Sequence, residues 1–215
     1  MYSYENSSDA TRSRNEFRTP FRMQIPPAAQ NPPEALRPSA AEQTARAIQY
    51  VSTYLRQHRE HYFAIARPLS HRQKASVGSC FPPALLDQVR IVQLEGQRVP
   101  TPPFYAEARA LGLDNLPEVT HMDSVTFLDV VVFNEVLTPR SLFHALVHAV
   151  QFHILGVERY TELFVGQFMR TRTHFTVPLE AQAFSLTSEF MRPCAERFSV
   201  LVEDEVRNWA TGGRY

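Results

Sequence analysis

The sequence has little of several residue types, and each shortage excludes a class of protein. Its 215 residues include two cysteines, Cys80 and Cys194, which are too few for a disulfide framework. It has one lysine, Lys74, and its 22 basic residues are balanced by 22 acidic ones. A net charge of zero argues against nucleic-acid binding driven by bulk charge, so we expect no nucleic acid as a partner.

Long apolar runs are also missing. No run of 18 or more apolar residues predicts a membrane-spanning helix, so we expect no membrane partner. The polar N-terminus lacks the apolar stretch of a secretory signal. We therefore expect a cytoplasmic protein, or one that leaves the cell by a non-standard export route. The sequence leaves the oligomeric state open.

Prolines divide the chain into two regions. Six of the 16 prolines lie in residues 1–38, among many Ser, Asn and Arg residues. Because proline removes backbone donors, this segment is predicted to be a disordered tail, with residues 39–215 as one domain. The aromatic residues of 17–23 could form a partner-docking or self-occluding peptide. The alternative is a tail whose aromatics are incidental.

The hydrophobic pattern of residues 39–215 predicts an α+β fold that is mostly helical, with a small sheet. Short strands are expected at 89–94 and 124–133, the second rich in β-branched and aromatic residues. A nearly all-apolar helix is expected to begin at the Thr138-Pro139 cap and to end at Gly156. The other predicted helices cover residues 40–66, 157–169, 178–190 and 195–209.

Two histidines, His144 and His148, lie four residues apart on the apolar helix. This spacing places both side chains on one face, where two imidazole nitrogens can bind one zinc ion. Glu180 lies near the start of a later helix, and a buried glutamate is costly unless it faces a cation. The residues leave two interpretations open: a metal site formed by these three side chains, or core histidines bonded to backbone carbonyls.

The segment 142–152, LFHALVHAVQF, resembles the active-site helix of zincin metallopeptidases, whose motif is H-E-x-x-H. It is most similar to a largely uncharacterised bacterial group with the form H-E-L-V-H-x-V-Q-[YF]. In that group a strand precedes the helix, L-G follows it, and P-L-E-x-x-A lies about thirty residues later. Residues 125–133, 155–156 and 178–183 match these features, so the resemblance covers roughly residues 80–190.

The resemblance implies a zincin-like fold, with the small sheet beside the active-site helix and a peptide or protein as substrate. It implies Zn²⁺ as cofactor, bound by His144, His148 and Glu180 as in the gluzincin subgroup, with a fourth position open for water. In zincins the edge strand beside the helix pairs with an extended peptide substrate. We interpret 124–133 as that strand, or as a core strand with no exposed edge.

Ala145 stands where the family has the glutamate of its motif. That glutamate is the general base, which takes a proton from water and later passes it to the leaving amine. Losing a positioned base typically costs about 10²–10⁴ in rate, so we expect no efficient hydrolysis. Ala145 fits an engineered knockout or a natural pseudoenzyme. The alternative functions are non-catalytic binding of a peptide or partner, and a helical structural protein without metal.

Further residues are candidates for supporting roles. Gln151 could hydrogen-bond to His148 behind a metal, or could be a satisfied core amide. His174 and Tyr160 could donate to an oxyanion, as His and Tyr do in many zincins, or could be plain surface residues. The motif places no other residue as a replacement base; the acidic side chains considered for that role are Asp129, Glu158 and Glu162.

Overall fold

The structure is a computed structural model that describes residues 39–110, 113, 115–193 and 201–213. The predicted tail, residues 1–38, and Cys194 lie outside the described residues. Within these ranges, no helix has both the length and the apolar character needed to cross a membrane.

The described part of the chain is an α+β fold dominated by helices, which confirms the predicted class. A four-stranded mixed sheet accompanies the helices, and its strand order is β1-β2-β4-β3. The strands are β1 (Arg67–Pro68), β2 (Arg90–Gln93), β3 (Ser124–Phe127) and β4 (Val130–Phe133). The helices are α1 (Ala40–Phe63), α2 (His71–Val77), α3 (Pro83–Gln88), α4 (Tyr105–Ala110), α5 (Pro139–Thr171), α6 (Pro178–Phe190) and α7 (Val202–Thr211), with a 3-10 turn at His174–Thr176.

Capping residues fix the predicted starts of the two long helices. The Ser39 hydroxyl accepts a hydrogen bond from the Glu42 backbone N–H, and the Glu42 carboxylate accepts one from the Ser39 backbone N–H. Thr138 caps α5 in the same way with Ser141, and Pro139 occupies the first helical position. Since each cap satisfies N–H groups that have no partner within the helix, both starts follow from local chemistry.

The single strand predicted for 124–133 is wrong. The segment forms a hairpin in which Ser124 pairs with Phe133 and Phe127 with Val130, so Leu128 and Asp129 make the turn. Leu128 has a φ of 60°, which a leucine rarely adopts. The Asn-Gly and Asp-Gly pairs that mark such turns are missing from this segment, so its hydrophobic pattern predicts one continuous strand.

Helix α5 lies at the centre of the fold and contacts α1, α6, α7 and β3. Its first half joins a first hydrophobic cluster with α2, α3, α6 and α7, and its second half joins a second cluster with α1. Strand β4 contributes to both clusters, with Val131 and Phe133 in the first and Val130 and Val132 in the second. Because both its faces are buried, its sequence lacks the alternation of a half-exposed strand.

Gly156 interrupts α5 at the predicted position. Its φ of 71° and ψ of 164° are non-helical, although the helical hydrogen bonding resumes so soon that the element runs on to Thr171. Only glycine adopts this region of φ and ψ readily. The break redirects the chain, so that Tyr160 returns to the histidines of the first half.

The continuous helix predicted for 195–209 is also wrong. Leu201 is extended, with a φ of −66° and a ψ of 135°, and α7 begins after it. The Val202 N–H donates to the Cys80 carbonyl oxygen at 2.9 Å, and Val202 is fully buried. This tertiary contact sets where the helix begins. No clear pattern in the sequence predicts β1 or α2.

Candidate metal centre

The structure brings His144, His148 and Glu180 together from two helices. Both histidines project from the same face of α5, and Glu180 lies in the first turn of α6. The Nε2 atoms of the histidines are 3.2 Å apart, and Glu180 Oε2 lies 3.8 Å from the first and 3.5 Å from the second. Within the described residues, these three side chains form a cluster able to hold a metal ion.

The size of this triangle of atoms fits a small cation. Within the plane of the two nitrogens and the oxygen, the point equidistant from all three lies about 2.0 Å from each atom. Zinc–nitrogen and zinc–oxygen bonds in proteins measure about 2.0–2.2 Å. Two imidazoles and one carboxylate form a donor set that suits zinc better than calcium or magnesium, which prefer oxygen ligands.

The second nitrogen of His148 is held by Gln151, which is fully buried. The amide nitrogen of Gln151 donates to the Leu179 carbonyl at 2.9 Å and to Gln182 Oε1 at 3.0 Å. Its Oε1 therefore accepts, and it lies 2.9 Å from His148 Nδ1. Because Nδ1 must then carry the proton, the neutral ring presents the lone pair of Nε2 to the triangle.

Thr187 holds His144 in the same way. Its hydroxyl donates to the Ala183 carbonyl at 2.7 Å, so the hydroxyl oxygen accepts from His144 Nδ1 at 3.3 Å. The lone pair of His144 Nε2 then also faces the triangle. When neither Nε2 is protonated, two lone pairs 3.2 Å apart repel one another, whereas a proton or a metal ion between them turns this arrangement into an attraction.

The electrostatics of His144 and Glu180 favour the forms that bind metal, whereas those of His148 favour its protonated form. Burial, the charge of His148 and that of Arg140 lower the pKa of His144 to about 4, so this ring is neutral at pH 7. Burial alone raises the pKa of Glu180, but the histidines outweigh it and lower that pKa, which keeps the carboxylate ionised. Burial lowers the pKa of His148, but Glu180 and the hydrogen bond to Gln151 outweigh burial and raise that pKa, so a metal ion has to displace a proton from His148 in order to bind.

Tyr160 and His174 both lie beside the triad, in different settings. Tyr160 is buried, so the alternative of a surface residue is wrong for it, and its hydroxyl is 3.4 Å from His148 Nδ1. Burial raises the pKa of this hydroxyl well above its ordinary value, so it stays protonated. His174 lies in the 3-10 turn, half-buried, and its ring stacks on Phe175 with centroids 3.9 Å apart.

Ala145 is buried, with 1% of its surface exposed, and its carbonyl accepts a hydrogen bond from the Thr126 hydroxyl at 3.2 Å. The acidic residues considered as replacement bases are held elsewhere by arginines. Arg59 donates two hydrogen bonds of 2.8 Å to Asp129, Arg56 pairs with Glu158, and Arg159 pairs with Glu162 at 3.1 Å. None of the three acids lines the cavity beside the triad.

The triad opens into a cavity of about 560 Å³, which we call the chamber. Strand β3 forms part of its wall through Ser124, Val125 and Thr126. Among the described strands, β3 pairs with β4 alone, so its other edge has no strand partner. The expectation of an edge strand beside the histidine helix is met by β3, while β4 is the core strand.

Two features of the site went beyond the sequence prediction. Thr187 lies four residues after Ala183, which lies three residues after Glu180, and this shared face of α6 was the signal that could have found Thr187. The contribution of α1 to the chamber carried no local signal, because it arises from tertiary packing.

Comparison of the chain with protein-family models, with curated proteins and with solved structures finds no match. Support for the convergence of the two histidines and the glutamate therefore comes from this structure. The zincin-like fold and the identity of the metal stay predictions.

Proposed function

We propose that this domain binds zinc through His144, His148 and Glu180 and is of the zinc metallopeptidase type. The observation that carries the proposal is that the Nε2 atoms of two histidines face one another, that each ring has an acceptor at its Nδ1, and that Glu180 Oε2 completes the triangle. Structural histidines have no need of this arrangement. Zinc at such a site supplies a Lewis acid that polarises a carbonyl and lowers the pKa of water.

A peptide is the proposed ligand. Strand β3 lines the chamber and has one edge without a strand partner among the described strands, and an extended peptide would pair with the backbone of that edge. The peptide backbone would then lie beside the triad, which is where a scissile carbonyl has to be. His174 and the protonated hydroxyl of Tyr160 are the proposed oxyanion donors, since both line the chamber.

With Ala145 in the motif, the domain is proposed to bind peptides without cleaving them efficiently. The specific observation in favour of this second, non-catalytic function is that the alternative acids are paired with arginines away from the chamber. The domain then retains a peptide-binding strand and a metal site but has no base to deprotonate water.

The first test is metal content. The purified chain is expected to hold about one zinc per molecule by inductively coupled plasma mass spectrometry, and the His144→Ala/His148→Ala variant is expected to hold none. His153→Ala is the matched control, because His153 is an exposed histidine on the same helix. Zinc content that is absent from the wild type, or unchanged in the double variant, would overturn the proposal.

The second test restores the base. Ala145→Glu is expected to gain zinc-dependent cleavage of a broad peptide library by about 10²–10⁴ over the wild type. Ala145→Gln is the control, because glutamine has the size of glutamate without its basicity. If zinc binds to Ala145→Glu and no peptide is cleaved, the metallopeptidase assignment fails and the binding function is favoured.

A further inference from the structure

The chamber is larger than one side chain of a ligand requires. Its volume of about 560 Å³ lies within the ~300–1,000 Å³ range of pockets that bind whole small ligands. The triad occupies one end, and the remainder extends between α1, the segment before β3 and the second half of α5. The space beside the metal ligands therefore accommodates a substantial part of a ligand.

The walls of the chamber are mainly apolar and aromatic. Helix α1 contributes one wall, the segment before β3 a second, and the second half of α5 a third. The side chains that define these walls are Tyr50, Val51, Leu116, Met122, Phe164 and Phe168. Tyr50 is 40% exposed, which leaves aromatic surface uncovered for an occupant to bury.

Two pairs among the charged and titratable residues of the chamber lie in contact, and Asp123, Arg140 and Arg172 also line it. Arg46 pairs with Glu107 at 3.9 Å, and His121 pairs with Glu118 at 2.6 Å, all four with exposed side chains. At these positions, a residue that could pair with a charged ligand already has a partner. The chemistry therefore favours a neutral, apolar occupant in this part of the chamber.

An aromatic pair joins the triad to the outside. The Phe184 ring lies 4.7 Å from the His144 ring, and the Phe175 ring lies 6.3 Å from that of Phe184. Phe175 is 62% exposed and Phe184 39% exposed. Exposed aromatic rings beside a metal site provide stacking surfaces for aromatic groups of a bound ligand.

We propose that the chamber selects peptides with two consecutive bulky apolar residues, aromatic ones above all, next to the group that meets the triad. This inference rests on the proposed function, because it assumes that zinc at the triad binds one end of the ligand. Because consecutive side chains of an extended peptide lie on opposite sides of its backbone, the two residues contact different walls of the chamber, and the backbone lies between them along β3.

The experiment measures binding of three blocked dipeptide hydroxamates to the zinc-loaded protein by isothermal titration calorimetry. The probes are acetyl-Phe-Phe, acetyl-Gly-Phe and acetyl-Gly-Gly hydroxamate, which share one zinc-binding group. Since burying an aromatic side chain is strongly favourable, each phenylalanine is expected to tighten binding about tenfold or more. Equal affinities for all three probes overturn the proposal.

A variant that fills the chamber tests the location. Ala47 lines the chamber from α1, so Ala47→Trp is expected to reduce the preference for the Phe-Phe probe over the Gly-Gly probe at least tenfold. Ala45→Trp is the matched control, because Ala45 is exposed on the same helix and does not line the chamber. A preference that survives Ala47→Trp in a folded, zinc-loaded variant overturns the proposal.

Zinc content, measured first on each protein, separates the two proposals. If no zinc binds, the proposed function fails and this inference fails with it. If zinc binds and acetyl-Gly-Gly hydroxamate binds as tightly as the Phe-Phe probe, the inference alone fails. Thermal unfolding of both tryptophan variants shows whether a lost preference reflects a filled chamber or a lost fold.

Discussion

Gln151 offers the sharpest test of how the site is held. Gln151→Leu keeps the volume of the side chain roughly constant but removes the acceptor of His148 Nδ1 and the donor to the Leu179 carbonyl. The His148 ring then loses the contact that fixes its tautomer and orientation. Removing such an outer partner of a metal-binding histidine typically lowers metal affinity about 10- to 100-fold.

Protein stability should fall as well. The change removes the three side-chain hydrogen bonds of Gln151, to the Leu179 carbonyl, to Gln182 Oε1 and to His148 Nδ1, and each hydrogen bond contributes about 0.5–1.5 kcal/mol. We therefore expect zinc affinity to fall by about 1.4–2.7 kcal/mol. The free energy of unfolding of the metal-free protein should fall by about 1–3 kcal/mol.

The assay is competition for zinc with a chromophoric chelator, together with urea unfolding in the presence of a strong chelator. Gln182→Leu is the matched control, because it removes the outer acceptor of Gln151 and a hydrogen bond of 3.5 Å to the Glu205 carbonyl but leaves the contact between Gln151 and His148 intact. We expect its zinc affinity to change less than threefold. A folded Gln151→Leu protein that binds zinc within threefold of the wild type would refute the reasoning.

Three further predictions concern stability. Gly156→Ala should lower the free energy of unfolding by about 1–3 kcal/mol in thermal unfolding, because the backbone of Gly156 is non-helical, even though a Cβ there would meet no atom within 4 Å. The control is Gly166→Ala, which lies in regular helix with equal space around it and should be neutral or stabilising. Tyr54→Phe should raise the free energy of urea unfolding by about 1 kcal/mol, since the buried Tyr54 hydroxyl has no hydrogen-bond partner among the described residues, and a loss would contradict this. Burial raises the pKa of Asp129, but the two bonds from Arg59 prevail and lower it, so Asp129→Asn should cost about 1 kcal/mol at neutral pH. That cost should disappear as pH falls below about 4 through the pKa of the folded state, and a cost that persists in acid would exclude the ion pair as its cause.

Much of the candidate site could be predicted because its signals are local. The spacing of His144 and His148 follows from helix geometry, and the Thr138-Pro139 cap fixes where that helix begins. Glu180 required a different argument, namely the cost of a carboxylate in apolar surroundings. All three side chains meet in the structure, although no spacing rule links residues 148 and 180.

Other features could not be predicted because tertiary contacts decide them. The turn at Leu128 and Asp129 is supported by Arg59 of α1, a residue about seventy positions away in sequence. The start of α7 depends on the Cys80 carbonyl, and the hydrogen bond from His144 depends on Thr187 of α6. A pattern read along the chain contains none of these partners.

The packing of α5 has a consequence for how the site responds to the loss of metal. Leu142, Phe143, Leu146 and Val150 are each no more than 1% exposed, so this half of the helix should open only when the whole domain unfolds. The ligands on it are thus positioned before an ion arrives, and little conformational entropy remains to be lost on binding. Unlike a zinc finger, which folds only with its ion, this domain should retain slow amide hydrogen exchange along α5 after chelation.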